Sequence, residues 1–280
     1  MNFLPLISAF LQAGSFTLDK IILNTKQVTY KIYDGASFLI MFLINVVLFL
    51  LFRPDFSLSS LTPFTLLLIG ASSAIFIGNV FFLYRALDLD KLGEIDIIVL
   101  FRSVAVILLS TLFFADERNP TAVVLGIVAM LALVWSHWEH HHFKLNHRTL
   151  WLLVWMISIA PLSDLMTKVL LETIHPLPLE IMRTGIMALV LGPIYYQYEK
   201  HVRTRVFFLL ILTNILTTIA AFLYFLSYQR VGIVQTVLIF SLQPLLVYGA
   251  SIAFLKEKFK WKKAVAFAIV LGAIILAQII

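Results

Sequence analysis

The stretch ADERNPTAVVLGIVAMLALV (115–134) places a glutamate, followed by a cation, shortly before a long run of apolar and small residues. A second stretch, LKEKFKWKKAVAFAIVLGAII (255–275), repeats that order. Small residues at matching positions let helices pack closely in a membrane. The recurrence predicts two copies of one structural unit. The alignment sets Glu117 on Glu257, Gly126 on Ala266 and Ala132 on Gly272.

A second pair of stretches marks the start of each copy. FTLDKIIL (16–23) aligns without a gap on DLMTKVLL (164–171), which sets Lys20 on Lys168. The two pairs together predict one repeat over residues 1–137 and another over residues 149–280. Residues 138–148 are the expected linker.

The composition predicts that most of the chain lies in a bilayer. Its 280 residues are 61% hydrophobic and 13% charged, whereas soluble domains have about 45–50% and about 25%. The apolar runs are continuous, and about 20 helical residues cross a bilayer core. Because helices satisfy their own backbone in lipid, we expect an all-α integral membrane protein with ten transmembrane helices. They are predicted at 2–22, 34–52, 63–84, 95–114, 120–137, 149–171, 178–198, 205–228, 232–254 and 261–279.

Several function classes lack support in the sequence. The chain has no cysteine, which excludes disulfides and thiolate metal sites. The net charge of +6 comes from cations between apolar runs, so it reports membrane orientation rather than nucleic-acid binding. Motifs of nucleotide-binding or catalytic sites are missing from the contexts they need. We therefore expect no enzyme, no cofactor and no metal, with the bilayer and a small-molecule substrate as partners.

The two five-helix units, each with a glutamate and a cation before a small-residue final helix, resemble the drug/metabolite transporter superfamily. The EamA-type branch is the most similar, and the resemblance extends over nearly the whole chain. It implies a secondary transporter, an exporter or exchanger of a small polar or amphipathic metabolite that works by alternating access through a central cavity. The first helix has LQAGSFTLDK (11–20) where the family commonly has a Trp-Gly-Ser opening, so the substrate is not carried over.

The units should have opposite orientations in the membrane, because each contains an odd number of helices. Connections that follow odd-numbered helices carry most of the lysines and arginines. By the positive-inside rule, these connections face the cytoplasm and both termini lie outside. The family resemblance implies cytoplasmic termini instead. The expected location is the plasma (inner) membrane.

Charged residues inside the predicted helices are the first candidates for the substrate site. Each costs about 2.5–3.5 kcal/mol at a helix centre and usually faces a cavity or a partner. Asp164 and Lys168 are spaced for an ion pair on one helix face, and so are Glu180 and Arg183. Arg102 needs a partner from another helix or from the substrate. The candidate substrate-binding residues are Asp19, Lys20, Asn79, Tyr84, Asp96, Arg102, Asp164, Lys168, Gln235 and Gln243.

Two prolines and three carboxylates bear on the alternating-access mechanism. Pro161 loosens the helix before Asp164, and Pro244 marks a broken helix. Proton or ion coupling is an open part of the mechanism, and its candidate groups are Asp19, Asp96 and Asp164.

Other interpretations stay open at this point. A D-x-D pattern at Asp88 and Asp90 would suit a membrane-embedded enzyme acting on a lipid-linked substrate, and a flippase for such a substrate is a related alternative. The histidine-rich SHWEHHHFKLNH (136–147) is of the kind that binds metal or senses pH, but it lacks a fixed ligand spacing. Glu117 and Glu257 fit a capping role at helix N-termini.

Overall fold

The described part of the computed structural model consists of helices and short connections. It covers residues 3–25, 30–89, 92–137, 147–196, 204–255 and 261–279. Short 3-10 helices lie at Leu58–Ser60 and Ala115–Glu117. The α-helices are α1 (Leu4–Leu23), α2 (Tyr30–Phe52), α3 (Pro63–Leu89), α4 (Leu92–Phe113), α5 (Pro120–His137), α6 (His147–Ser158), α7 (Ala160–Leu171), α8 (Pro176–Tyr196), α9 (Thr204–Val231), α10 (Ile233–Phe240), α11 (Gln243–Leu255) and α12 (Trp261–Ile279).

Each of the ten predicted runs lies on one helix or on a broken pair. The pair α6 and α7 is interrupted at Ile159, and α10 and α11 are separated at Ser241 and Leu242. Pro161 and Pro244 lie in the first turn of the helix after each break. Proline lacks the N–H of a continuing helix but suits a first turn, so the predicted interruptions are confirmed.

Length and hydropathy agree with a membrane environment. Five spans among the described residues are long and apolar enough to cross a bilayer by themselves. Large apolar side chains also cover the outside of the bundle, and Leu189 is 80% exposed. Because a contiguous apolar surface is rare on soluble monomers, these side chains are suited to contact lipid. The five spans are Leu4–Leu23, Ile32–Phe52, Pro63–Leu83, Leu150–Leu171 and Val206–Val231.

The main helix contacts join the two halves of the chain. In each of these contacts, one helix comes from the first predicted repeat and the other from the second. The halves are therefore interleaved rather than set side by side. The contacting helices are α1 with α9, α2 with α8, α3 with α6 and α7, α4 with α10, and α5 with α12.

Small and hydroxylated residues allow α1 and α9 to approach closely. The Ser8 hydroxyl donates to the Ala220 carbonyl at 2.7 Å, and the Ser15 and Thr213 hydroxyls are 2.8 Å apart. Ala9 between them is fully buried. Packing of small residues and hydrogen bonds between helices replace the hydrophobic effect as the source of association in lipid.

Gly78 on α3 provides a test of helix packing against α6. A Cβ at this position would overlap the Trp155 ring, and that ring contacts Phe82 at a centroid distance of 5.4 Å. We expect Gly78→Ala to lower the free energy of unfolding by about 1–3 kcal/mol, as overpacking does. Thermal unfolding in detergent measures the change. Gly70→Ala on the same helix is the control, because nothing lies within 4 Å of its added methyl. Equal stability of the two variants would contradict this packing.

Candidate substrate-binding cavity

A cavity of about 230 Å³ lies among the helices of both halves. Most of its wall is apolar, with phenylalanines from α1, α2, α3, α9 and α10. Four charged residues also reach it and are called the charged wall from here on. They are Arg102, Asp164, Glu180 and Arg183.

Arg102 and Asp164 form the stronger ion pair of the charged wall. Arg102 donates from Nε at 3.1 Å and from Nη2 at 2.8 and 2.9 Å to both carboxylate oxygens of Asp164. The fork of the guanidinium matches the carboxylate, which makes this a strong geometry. The Tyr228 hydroxyl lies 3.5 Å from the same carboxylate and 2.8 Å from the Tyr224 hydroxyl. The partner expected for Arg102 on another helix is thus Asp164.

The expected ion pair between Asp164 and Lys168 does not form. Asp164 faces Arg102, whereas Lys168 points to the connection between α4 and α5. There its ammonium contacts Asp116 at 2.7 Å and also Glu117. The four-residue spacing would permit an ion pair within α7. Instead, Asp164 pairs with Arg102, and Lys168 pairs with Asp116 and Glu117.

Glu180 and Arg183 form a looser pair on α8. Arg183 Nη1 is 3.5 Å from Glu180 Oε1, and its Nη2 donates to the Ser163 hydroxyl at 3.2 Å. The predicted spacing of this pair on one face is confirmed. The guanidinium carbon lies 5.8 Å from the Phe76 ring centroid and 5.5 Å from that of Phe225. Arg183 is therefore held in an aromatic slot and only weakly paired.

Lys168, Asp116 and Glu117 make a second charged group outside the cavity, named the Lys168 cluster. The Lys168 and Glu117 side chains are 8% and 5% exposed, whereas that of Asp116 is 70% exposed. Lys168 also lies 4.6 Å from the Phe114 ring centroid. Lys168 is not among the cavity-lining residues, so its buried charge serves this cluster rather than the cavity wall.

Glu117 caps a helix, as expected, but not the helix that follows it in sequence. Its carboxylate accepts from the backbone N–H of Ile233 at 2.8 Å and of Val234 at 3.1 Å, at the N-terminus of α10. Negative charge is favourable there because of the helix dipole. Gly232 has φ +84°, and a Cβ on it would lie 2.7 Å from Glu117 Oε1. Position 232 therefore requires glycine, because its φ is positive and because a side chain there would collide with the capping carboxylate. Glu257 lies outside the described residues.

The remaining sequence candidates divide between the cavity and its surroundings. Asn79 and Gln243 are buried and line the cavity. Asp19 is buried beside it and accepts from the hydroxyl of Tyr33, a lining residue. Lys20 and Gln235 are half-buried and do not line it. The side chains of Tyr84, Asp96 and Asp88, together with Asp90 and residues 138–146 of the histidine-rich stretch, lie outside the described residues.

Several lining residues were not singled out in the sequence. These residues carry hydroxyl groups and lie on otherwise apolar helices. Each of them lies one helical turn from a charged residue already considered or from another residue of this set. That spacing is the signal that could have found them, because residues one turn apart share a helix face. They are Tyr33 and Ser37 on α2, Ser163 and Thr167 on α7, and Thr184 on α8.

The helices and the apolar surface define an integral membrane protein with a charged cavity at its centre. Residues 149–278 match the EamA-like transporter family. This match lies on the second predicted repeat and, over those residues, confirms the resemblance to the EamA-type branch of the drug/metabolite transporter superfamily.

A solved structure described as "Crystal structure of protein" has the same fold. It superposes with a TM-score of 0.76 at 13% sequence identity, over 99% of this chain and 96% of the other. At that identity the likeness shows the fold alone. A comparison with curated proteins found no match.

The Lys168 cluster is expected to stabilise the fold mainly through Glu117. In Lys168→Met the Glu117 carboxylate stays buried without its cation, which costs about 3–5 kcal/mol for a buried pair. Asp116→Asn is the matched control, because an exposed partner contributes at most about 1 kcal/mol. Chemical unfolding in detergent measures both. Adding Glu117→Gln to Lys168→Met should restore part of the loss, and equal losses in the two single variants would contradict the assignment.

His175, directly before α8, predicts a pH effect on stability. Its Nδ1 accepts from the Leu177 N–H at 3.3 Å, and burial lowers the pKa of the imidazole, while the charge of Asp55 opposes the shift. Folding favours the neutral ring. Its contribution is therefore complete above about pH 6.5, the ordinary value, and is lost as the pH falls through the folded pKa. The change should be small, because the ring is partly exposed.

His175→Asn tests this assignment, because asparagine caps a helix without titrating. Thermal unfolding of both proteins at pH 7.5 and pH 5.0 gives the comparison. The wild-type protein should lose more stability than the variant on acidification. An identical loss in the two proteins would show that other groups cause it.

Proposed function

We propose that this protein is a secondary transporter that moves a small polar or amphipathic metabolite by alternating access through the central cavity. It acts as an exporter or exchanger in the plasma membrane. The observation on which the proposal rests is the charged wall. Asp164, Glu180 and Arg183 are buried inside an apolar bundle, and Arg102 is half-buried beside them. Ionisable residues inside a membrane-spanning bundle usually belong to a substrate or ion pathway.

The size of the cavity favours a small substrate. Pockets for drug-sized ligands measure about 300–1,000 Å³, and this cavity measures about 230 Å³. Its wall combines aromatic rings with a few charged and amide groups. An amphipathic metabolite with few atoms meets both parts of that wall.

The contacts between helices support an inverted repeat over residues 1–137 and 149–280. If α6 and α7 together correspond to α1, then α9 corresponds to α3. The contact of α1 with α9 then has its counterpart in the contact of α3 with α6 and α7. Likewise, α10 and α11 together correspond to α4, so the contact of α1 with α11 has its counterpart in the contact of α4 with α6 and α7. Such pairing is what a two-fold relation between the halves produces, and the odd number of helices in each half would set its axis in the membrane plane.

The two halves also differ in a way that suits alternating access. The second half contains broken helices at α6–α7 and α10–α11, whereas α1 and α4, their proposed counterparts, are continuous. In inverted-repeat transporters the two halves exchange conformations as the cavity changes sides. We propose, on the positive-inside count, that the termini lie outside the cytoplasm. Asp19, Asp96 and Asp164 remain the proposed groups for proton or ion coupling.

Transport in proteoliposomes tests the proposal. Vesicles loaded with a mixture of small metabolites are expected to exchange at least one of them, as measured by mass spectrometry. Arg102→Gln should reduce the exchange at least tenfold, because Asp164 then loses its bidentate partner in the cavity wall. Arg53→Gln is the control, since Arg53 is exposed and away from the cavity. Folded wild-type protein that moves no solute would contradict the proposal.

A further inference from the structure

Arg183 has more hydrogen-bonding capacity than its surroundings use. The residue is 3% exposed, and its Nε has no hydrogen-bond partner among the described residues. The contact with Glu180 is 3.5 Å long, and the Ser163 hydroxyl is its one hydrogen-bond acceptor within the described chain. A buried guanidinium with unused N–H groups is costly. The cavity is the place from which a further acceptor can reach it.

Arg102 provides the comparison within the same wall. Both oxygens of Asp164 accept its hydrogen bonds at 2.8–3.1 Å, so its fork is already occupied by a carboxylate. Arg183 faces the same cavity without such a partner. The difference marks Arg183 as the cation of this wall that is available to a ligand.

The surroundings of Arg183 also determine how a ligand would approach. Phe76 and Phe225 lie on the guanidinium at 5.8 and 5.5 Å, a distance at which cations are attracted to aromatic faces. Both rings line the cavity. The planar fork of a guanidinium suits a planar carboxylate. The same rings offer an apolar surface to the rest of the ligand.

Glu180 acts against this binding. Its carboxylate, 7% exposed, also faces the cavity and competes for Arg183 through the single 3.5 Å contact. This distance exceeds that of a good charge-assisted hydrogen bond, about 2.7–2.9 Å. A ligand carboxylate that binds at normal distance can therefore displace the looser partner.

We propose that Arg183 is the substrate anchor of this transporter and that it selects small organic acids, whose carboxylate binds its free N–H edge while an apolar body contacts Phe76 and Phe225. The inference rests on the proposed function, because it assigns the substrate class of the same cavity. It goes further in naming the ligand charge and the residue that recognises it.

Calorimetry on the purified protein in detergent tests the anchor with two matched probes, phenylacetate and its neutral analogue phenylacetamide. The wild-type protein should bind phenylacetate at least tenfold more tightly than the amide. Arg183→Gln should remove that preference. Glu180→Gln should bind phenylacetate at least threefold more tightly, because the competing carboxylate is gone. A gain in affinity cannot result from misfolding, which keeps the test decisive if Arg183→Gln is unstable.

The outcomes separate this inference from the proposed function. Equal binding of the two probes, binding of neither, or weaker binding of phenylacetate to Glu180→Gln would overturn the anchor. Because calorimetry requires no transport, it tests the binding of a carboxylate by Arg183 even where vesicles show no flux. Transport of neutral metabolites, together with equal binding of phenylacetate and phenylacetamide, would overturn the anchor but would still support the proposed transporter function.

Discussion

The bidentate ion pair between Arg102 and Asp164 is the contact on which the centre of this protein depends. It joins α4 to α7, and therefore one half of the chain to the other, at a depth where neither charge can be left alone. The pair ties α7 to α4 after its break from α6, in addition to the packing of α7 on α3. Ser163, the neighbour of Asp164, is thereby set beside Arg183. A single long-range pair thus orders a wall built from three helices.

The Lys168 cluster applies the same constraint at the end of the bundle. Glu117 satisfies the buried ammonium of Lys168 and the backbone at the start of α10 with one carboxylate. The connection between α4 and α5 therefore fixes both α7 and α10. Both are segments that follow or precede a helix break, so the cluster stabilises the part of the fold where the backbone is least continuous.

The sequence allowed the helices to be predicted better than the contacts between them. Apolar runs and the prolines at 161 and 244 depend on local physics, and both predictions agree with the structure. The partner of Asp164 could not be predicted, because helical spacing describes neighbours one turn away and not residues on another helix. For the same reason, an acidic residue before α5 indicated a cap but not that α10 would receive it. Charged residues in the sequence predicted part of the cavity wall, whereas its hydroxyl-bearing residues, which lie among apolar ones, were not predicted.

The unequal exposure of the two carboxylates around Lys168 has a consequence for the solution that bathes them. Asp116 is 70% exposed, and its hydrogen bond with Lys168 holds its pKa below the ordinary value, whereas Glu117 is shielded. Dissolved ions screen exposed charges but hardly reach buried ones. High ionic strength on that side of the membrane therefore loosens the outer contact of Lys168 and leaves the inner one in place. The ammonium becomes more dependent on Glu117, so the link from α7 to the start of α10 persists at an ionic strength that weakens the exposed contact.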